Sequence, residues 1–280
     1  MLVAGVALCS ALANGATEAE LPRYDIWSPG YAQLPRSGAI AAITQTTSGY
    51  LWLGTGRGVI RFDGRRNQIF NPDKTPELRG YSIKQLERDP LGGLWILTER
   101  GSLAFYEGGR IRRIGQAEGM PEQGVAAVSS DGAGGIWAVT VGKKLYRYKA
   151  GETSEPVEVI GLDPSARVRR IFTDSQDGRW LIGVQDGRAT LHSLEGYRAA
   201  PIGESVPVSS KFEPSHFGGI LYVSETGLWR LEGDEAALLT DQLPFADLGS
   251  EVTSILERGN GLIWIGTRTR GLMVYSQDQD

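Results

Sequence analysis

One phrase recurs along the whole chain and decides what it can fold into. Gly49-Tyr50-Leu51-Trp52-Leu53-Gly54-Thr55 returns as Gly93-Leu94-Trp95-Ile96, Gly135-Ile136-Trp137-Ala138, Gly178-Arg179-Trp180-Leu181, Gly219-Ile220-Leu221-Tyr222 and Gly261-Leu262-Ile263-Trp264. The aromatic falls at 52, 95, 137, 180, 222 and 264, with spacings of 43, 42, 43, 42 and 42 residues. Such even spacing is the mark of a repeat architecture, and it leaves no room for an unrelated domain between two units. Nine residues before the aromatic stands an apolar residue (Ile43, Leu86, Val128, Ile171, Ile255), and twelve before it a second (Ile40, Ile83, Val125, Val168, Val252), which reads as one short strand. After the aromatic a glycine opens another strand, as in Gly58-Val59-Ile60-Arg61-Phe62 and Gly227-Leu228-Trp229-Arg230-Leu231. Turn pairs Asp63-Gly64, Glu107-Gly108 and Glu232-Gly233 then lead into a fourth strand, for example Asn67 to Phe70 and Arg110 to Ile114. Four short strands in each unit of about 42 residues predict an all-β fold, a β-propeller of four-stranded blades with six repeats in sequence.

The repeat also says where its residues go. A four-stranded sheet buries neither face by itself, so blades stack on one another, and the large aromatic of the second strand is expected to fill the wedge between neighbours. The Trp series therefore reads as core rather than as a ligand box. Asp89, Asp131 and Asp174 stand where they would accept N–H groups of the turn from the first strand to the second. The 38 glycines among 280 residues agree with so many tight turns.

Residues 1–15 carry the apolar, small-residue run Leu2 to Ala13 followed by Asn14-Gly15, and read as a secretory signal peptide, which predicts an exported, periplasmic protein with the propeller domain at 16–280. The run is shorter than the ~20 apolar residues that span a bilayer, so no membrane span is expected within the chain. Cys9, the one cysteine, lies in that leader, which excludes a disulfide framework and a cysteine metal site. A net charge of −4 argues against a nucleic-acid partner.

The blades at 52 and 264, with Arg61-Phe62-Asp63-Gly64 and Trp27 before Leu34-Pro35, resemble the two-component regulator propeller repeats of extracytoplasmic sensor regions in bacterial signalling receptors. The units at 137, 180 and 222 follow the pattern less closely, with Tyr222 read in place of Trp. The resemblance implies a ligand-sensing or protein-interaction role, and a downstream histidine kinase or diguanylate cyclase module reached through an Ig-like module and one membrane helix. None of those follows within the 280 residues. Family members usually have seven-bladed propellers, whereas six units are counted here. Two readings stay open: a six-bladed ring in which Arg23-Tyr24-Asp25-Ile26-Trp27 supplies the outer strand missing after Tyr275, or part of a seven-bladed ring.

No catalytic constellation stands out. His192, in the third strand of the fourth unit, and His216, in a turn of the fifth, read as ordinary structural or exposed histidines. No phosphate loop, nucleophile elbow or paired-carboxylate spacing appears, so no enzyme activity, cofactor or metal is expected. The alternative is a propeller lyase or hydrolase with a metal-dependent site in the central funnel. The loops between strands two and three and those joining blades share one face, where ligands usually bind. Just before the third-strand glycine stand Arg57, Arg100 and Arg270 in units one, two and six, joined by Arg36, Arg79 and Arg268 nearby, while Glu118, Glu122, Glu204, Glu225, Asp241 and Asp247 are assigned to the remaining loops. This predicts a basic arc that takes a small anionic ligand or an acidic protein surface.

Overall fold

The computed structural model describes residues 40–276, except 64–65, 72, 79–81, 122–123, 150–151, 154, 234, 244–251, 258–260 and 268–271. Its strands form six antiparallel sheets, the blades of a six-bladed β-propeller. Blade 1 holds β1 (Ile40–Gln45), β2 (Leu51–Thr55), β3 (Gly58–Phe62) and β4 (Asn67–Phe70); blade 2 holds β5 (Ile83–Arg88), β6 (Leu94–Thr98), β7 (Leu103–Glu107) and β8 (Arg110–Ile114). Blade 3 is built from β9 (Val125–Ser130), β10 (Gly135–Thr140) and β11 (Lys144–Lys149), with its outer strand in two pieces, β12 (Glu152–Thr153) and β13 (Val157–Glu158), both paired to β11. Blade 4 runs through β14 (Arg167–Thr173), β15 (Arg179–Gln185), β16 (Arg188–Glu195) and β17 (Arg198–Pro207), and blade 5 through β18 (Lys211–Pro214), β19 (Ile220–Ser224), β20 (Gly227–Glu232) and β21 (Glu235–Thr240). Blade 6 shows β22 (Val252–Glu257), β23 (Ile263–Thr267) and β24 (Leu272–Tyr275). Its proposed fourth strand, Arg23 to Trp27, lies outside the described residues, as does the leader. Among the described residues the helical content is two single 3-10 turns, Pro76–Leu78 and Gln116–Glu118.

Blades 1, 2 and 4 lean on the next blade through the predicted aromatic. Trp52 packs against Leu94, Ile96, Ala104 and Tyr106 of blade 2, Trp95 against Val128, Ile136, Ala138 and Tyr148 of blade 3, and Trp180 against Phe212, Ile220 and Leu231 of blade 5. All three are buried. Trp137 departs from the rule: it is only partly buried, and the guanidinium groups of Arg147 and Arg179 lie 5.3 and 4.6 Å from its ring.

Blade 5 corrects the sequence alignment. In blades 2, 3 and 4 the turn is closed by an N–H to carbonyl bond from Asp89 to Gly93, Asp131 to Gly135 and Asp174 to Gly178, and the tryptophan comes two residues later. In blade 5 the same turn is Ser215 to Gly219, so the wedge position is Leu221 and not Tyr222. Leu221 is fully buried against Val252, Ile255, Ile263 and Ile265 of blade 6. Tyr222 points to the opposite face and packs with Trp180 and Phe212 on the side of blade 4. A shift of one residue moves a strand side chain to the other face of its sheet.

The turn aspartates behave as read. Asp131 Oδ1 accepts the N–H groups of Ala133 (2.8 Å) and Gly135 (2.7 Å), and Asp174 Oδ1 those of Gln176 (2.8 Å) and Gly178 (2.9 Å). Asp174 does more, since its Oδ2 also accepts Trp180 Nε1 at 2.9 Å and the Gly219 N–H of blade 5 at 3.0 Å. One carboxylate thus fixes a turn, a wedge residue and a neighbouring blade.

Candidate functional site

The first strand of every blade lies nearest the axis, and its start faces the same end of the molecule as the turns between second and third strands. The threonine that follows Leu-Gly in the repeat explains those turns. Thr55 Oγ1 donates to the Gly58 carbonyl (3.0 Å) and accepts the Arg57 N–H (3.2 Å), and Thr98 Oγ1 closes a turn one residue longer by donating to the Ser102 carbonyl (3.2 Å) and accepting the Ser102 N–H (3.0 Å). Held in this way, Arg57 and Arg100 occupy corresponding turns of adjacent blades and are both exposed. Arg36, Arg79, Arg268 and Arg270 lie outside the described residues, as do Glu122 and Asp247. Of the acidic residues assigned to loops, Glu225 and Asp241 are exposed in turns. Glu118 caps a 3-10 turn by accepting the Gly115 N–H at 2.8 Å. Glu204 is a correction: it sits inside the ten-residue β17, in the stretch where that strand slips register against β16.

A second set of cations near the axis was not foreseen. β1, β5, β9, β14 and β22 each carry a register shift close to their first residue, between Ile40 and Ala42, Ile83 and Gln85, the partners of Val139 and Thr140, Val168 and Arg170, and Val252 and Ser254. A β-bulge at each leaves one residue unpaired and re-aims its side chain. The bulged residues are Ala41, Lys84, Ala126, Arg169 and Thr253, and Ser210, five residues before the turn residue Ser215, holds the matching place in blade 5. Lys84 Nζ donates to the Ala126 carbonyl of blade 3 at 2.6 Å, and an Arg169 guanidinium nitrogen donates to the Val208 carbonyl. Burial, then the charge of neighbouring Arg170, lowers the Arg169 pKa from its ordinary value. Arg170 itself is spoken for, with two bonds to the Glu213 carboxylate of blade 5 at 2.9 and 2.8 Å. Glu87, on β5, is pushed up from the usual carboxylate range by burial, against an opposing bond from the Ser130 N–H.

The two histidines stand where the sequence placed them. His192, on β16, is buried with Nδ1 3.1 Å from the Thr190 carbonyl, and burial lowers its pKa from the ordinary histidine value. It borders a cavity of about 250 Å³ that Asp163, Gln185, Asp186, Arg188 and Ser205 also line. Within it Arg188 Nε is already bonded to Ser205 Oγ at 2.8 Å. His216 is exposed in the β18–β19 turn, at the far end of the blade from Arg57 and Arg100, and its backbone N–H donates to Glu257 at 2.8 Å. Among the described residues no group of three or more His, Cys, Asp and Glu is arranged to hold a metal ion, and no helix is long and apolar enough to cross a membrane.

No protein-family model matches the chain, and no curated protein matches it. Solved structures do. One, named as the extracellular domain of a hybrid two-component system from B. thetaiotaomicron, is 20% identical, with 86% of this chain and 34% of that one covered at a TM-score of 0.62. Another, named as the extracellular domain of a one-component system from the same organism, is 14% identical over 88% of this chain and 36% of that one, at a TM-score of 0.61. A virginiamycin B lyase from Staphylococcus aureus, solved with quinupristin, is 13% identical over 87% of this chain and 86% of that one, at a TM-score of 0.62. The chain spans about a third of the length of the two sensor ectodomains. At these identities the likeness establishes the propeller fold, and it includes the signalling ectodomains that the repeat resembles.

Proposed function

We propose that this chain is an extracytoplasmic, non-catalytic propeller that senses an anionic ligand, or docks an acidic protein surface, for a bacterial signalling system. In this reading residues 1–15 direct export, the propeller works in the periplasm, and a kinase or diguanylate cyclase module is the downstream output. The observation that carries it is the gathering of cationic side chains at one end of the blades: Arg57 and Arg100 on exposed turns and Lys84 and Arg169 on the inner strands. Guanidinium groups favour carboxylates and phosphates through paired hydrogen bonds. A metal-dependent lyase is the second reading, and it rests on the likeness to the virginiamycin B lyase fold.

Titration of the purified protein with acidic sugars, acidic peptides and phosphates separates the two. Sensing predicts saturable binding that weakens as salt rises, because exposed charges are screened beyond ~8 Å at physiological ionic strength. It also predicts a loss of at least tenfold in affinity in the Arg57→Gln/Arg100→Gln double variant. Binding confined to neutral ligands, or undiminished in that variant, overturns the basic arc.

A further inference from the structure

The inner strands vary at one pair of positions, the bulged residue and the one after it. Blades 1 and 3 carry Ala41-Ala42 and Ala126-Ala127, and blade 2 carries Lys84-Gln85, whose side chains donate to the Ala126 and Val128 carbonyls of blade 3. In blades 4 to 6 the pairs are Arg169-Arg170, Ser210-Lys211 and Thr253-Ser254, all hydrogen-bond donors. These three polar pairs come together around a single cavity of about 70 Å³ near the axis, which Ile182, Phe212 and Glu213 also line. A volume of that size exceeds the space of a single water and suits a compact charged group.

The Ser210 hydroxyl adds an independent observation. It is buried, with 1% of the residue exposed, and its oxygen has no hydrogen-bond partner. A buried hydroxyl without a partner costs about 1–3 kcal/mol, and a ligand oxygen placed in the cavity removes that cost. Arg169 adds a positive charge whose bonded partner is a neutral carbonyl, whereas the charge of Arg170 is answered by Glu213. The cavity walls therefore offer donors and positive charge to an occupant.

We infer that this cavity is an oxyanion site, taking one carboxylate or phosphate group of a small solute between the inner strands of blades 4, 5 and 6. Arg169 and Lys211 supply the charge, and Ser210 and Thr253 the hydroxyl donors. The inference rests on reading this end of the propeller as its binding face. It names the group recognised and the residues that recognise it, and none of them belongs to the arc of Arg57 and Arg100. The bulges give it its geometry, because an uninterrupted inner strand would leave these side chains in the register of the wedge.

Isothermal titration of the full chain with inorganic phosphate and, separately, with acetate tests the site. Saturable binding of at least one of the two is expected, with affinity falling at least tenfold in Arg169→Gln/Lys211→Gln and several-fold in Ser210→Ala, which keeps every charge. Arg88→Gln, which removes a cation at the opposite end of an inner strand, controls for net charge and is expected to leave affinity within twofold. Thermal melts without ligand show whether each variant folds as the parent does, and Ser210→Ala, which removes only an unbonded oxygen, carries the test if the double variant fails to fold. Phosphate binding but not acetate assigns a phosphoryl group, and the reverse a carboxylate. Failure of both anions to bind, or equal binding by the parent and Ser210→Ala, overturns the site. If anion binding is instead lost in Arg57→Gln/Arg100→Gln and kept in Arg169→Gln/Lys211→Gln, the axial site falls and the basic arc stands.

Discussion

Truncating Trp95 is the most demanding test of how the blades hold together. The side chain is 1% exposed, lies tilted at 41° to Phe105 of its own blade with ring centroids 4.3 Å apart, and meets Tyr148 of blade 3 edge-on at 5.6 Å. Val128, Ile136 and Ala138 close the rest of the wedge. Those walls belong to two sheets whose inner strands are already bonded to each other, Gln85 to Val128 at 2.8 Å and Lys84 to Ala126 at 2.6 Å, so the gap has little freedom to collapse. Trp95→Ala is therefore expected to cost about 3–5 kcal/mol. At about 2–4 °C per kcal/mol for a chain of this size, the melting temperature should fall by roughly 6–20 °C. Trp95→Phe separates packing from hydrogen bonding. The Trp95 indole N–H is buried without a partner, so the change to Phe forfeits no bond and should cost clearly less than Trp95→Ala, because more of the wedge stays filled. Urea unfolding followed by far-ultraviolet circular dichroism reads both variants. A loss below about 1 kcal/mol for Trp95→Ala, or equal losses for the two, would refute the wedge account.

Two further outcomes follow from the same geometry. Leu221→Ala should cost about 2–5 kcal/mol and Tyr222→Leu less than about 1.5, because Leu221 holds the wedge of blade 5 and Tyr222 is partly exposed on the other face; the reverse order in urea unfolding would restore Tyr222 to the wedge. Burial lowers the His192 pKa, so as pH falls through 6.5 the unfolded chain takes up a proton before the folded one and stability declines; His192→Gln should flatten that part of the stability profile, and an unchanged slope between pH 6.5 and 5.5 would contradict it.

The wedge and the turns were legible because each repeats a residue type at a fixed distance. Trp52, Trp95 and Trp180 and the aspartates at 89, 131 and 174 all recur on the period of 42 or 43 residues, and each does the same job in its blade. Blade 5 misled the alignment because its aromatic lies one place beyond its wedge. Counting two residues on from Ser215 to Gly219, instead of seeking the large ring, leads to Leu221. Trp137 shows another limit, since its exposure depends on Arg179 of the following blade, which no local pattern links to it. The axial cavity was illegible for a physical reason. A bulge adds one residue to an inner strand without changing the repeat length, so the sequence period is blind to it, and the pairing of Arg170 with Glu213 joins residues 43 positions apart. Arg57 and Arg100 were found because a glycine marks their turns.

The central claim is that this propeller binds an acidic solute and leaves it unchanged. The most direct measurement incubates the purified protein with inorganic phosphate, acetate, an acidic sugar and an acidic peptide, with and without divalent metal, and follows both heat of binding and the mass of each recovered compound. The account predicts saturable, salt-sensitive binding of an acidic compound that is recovered intact in every arm. Conversion of any compound to a product, with metal or without, would contradict it and establish an enzyme.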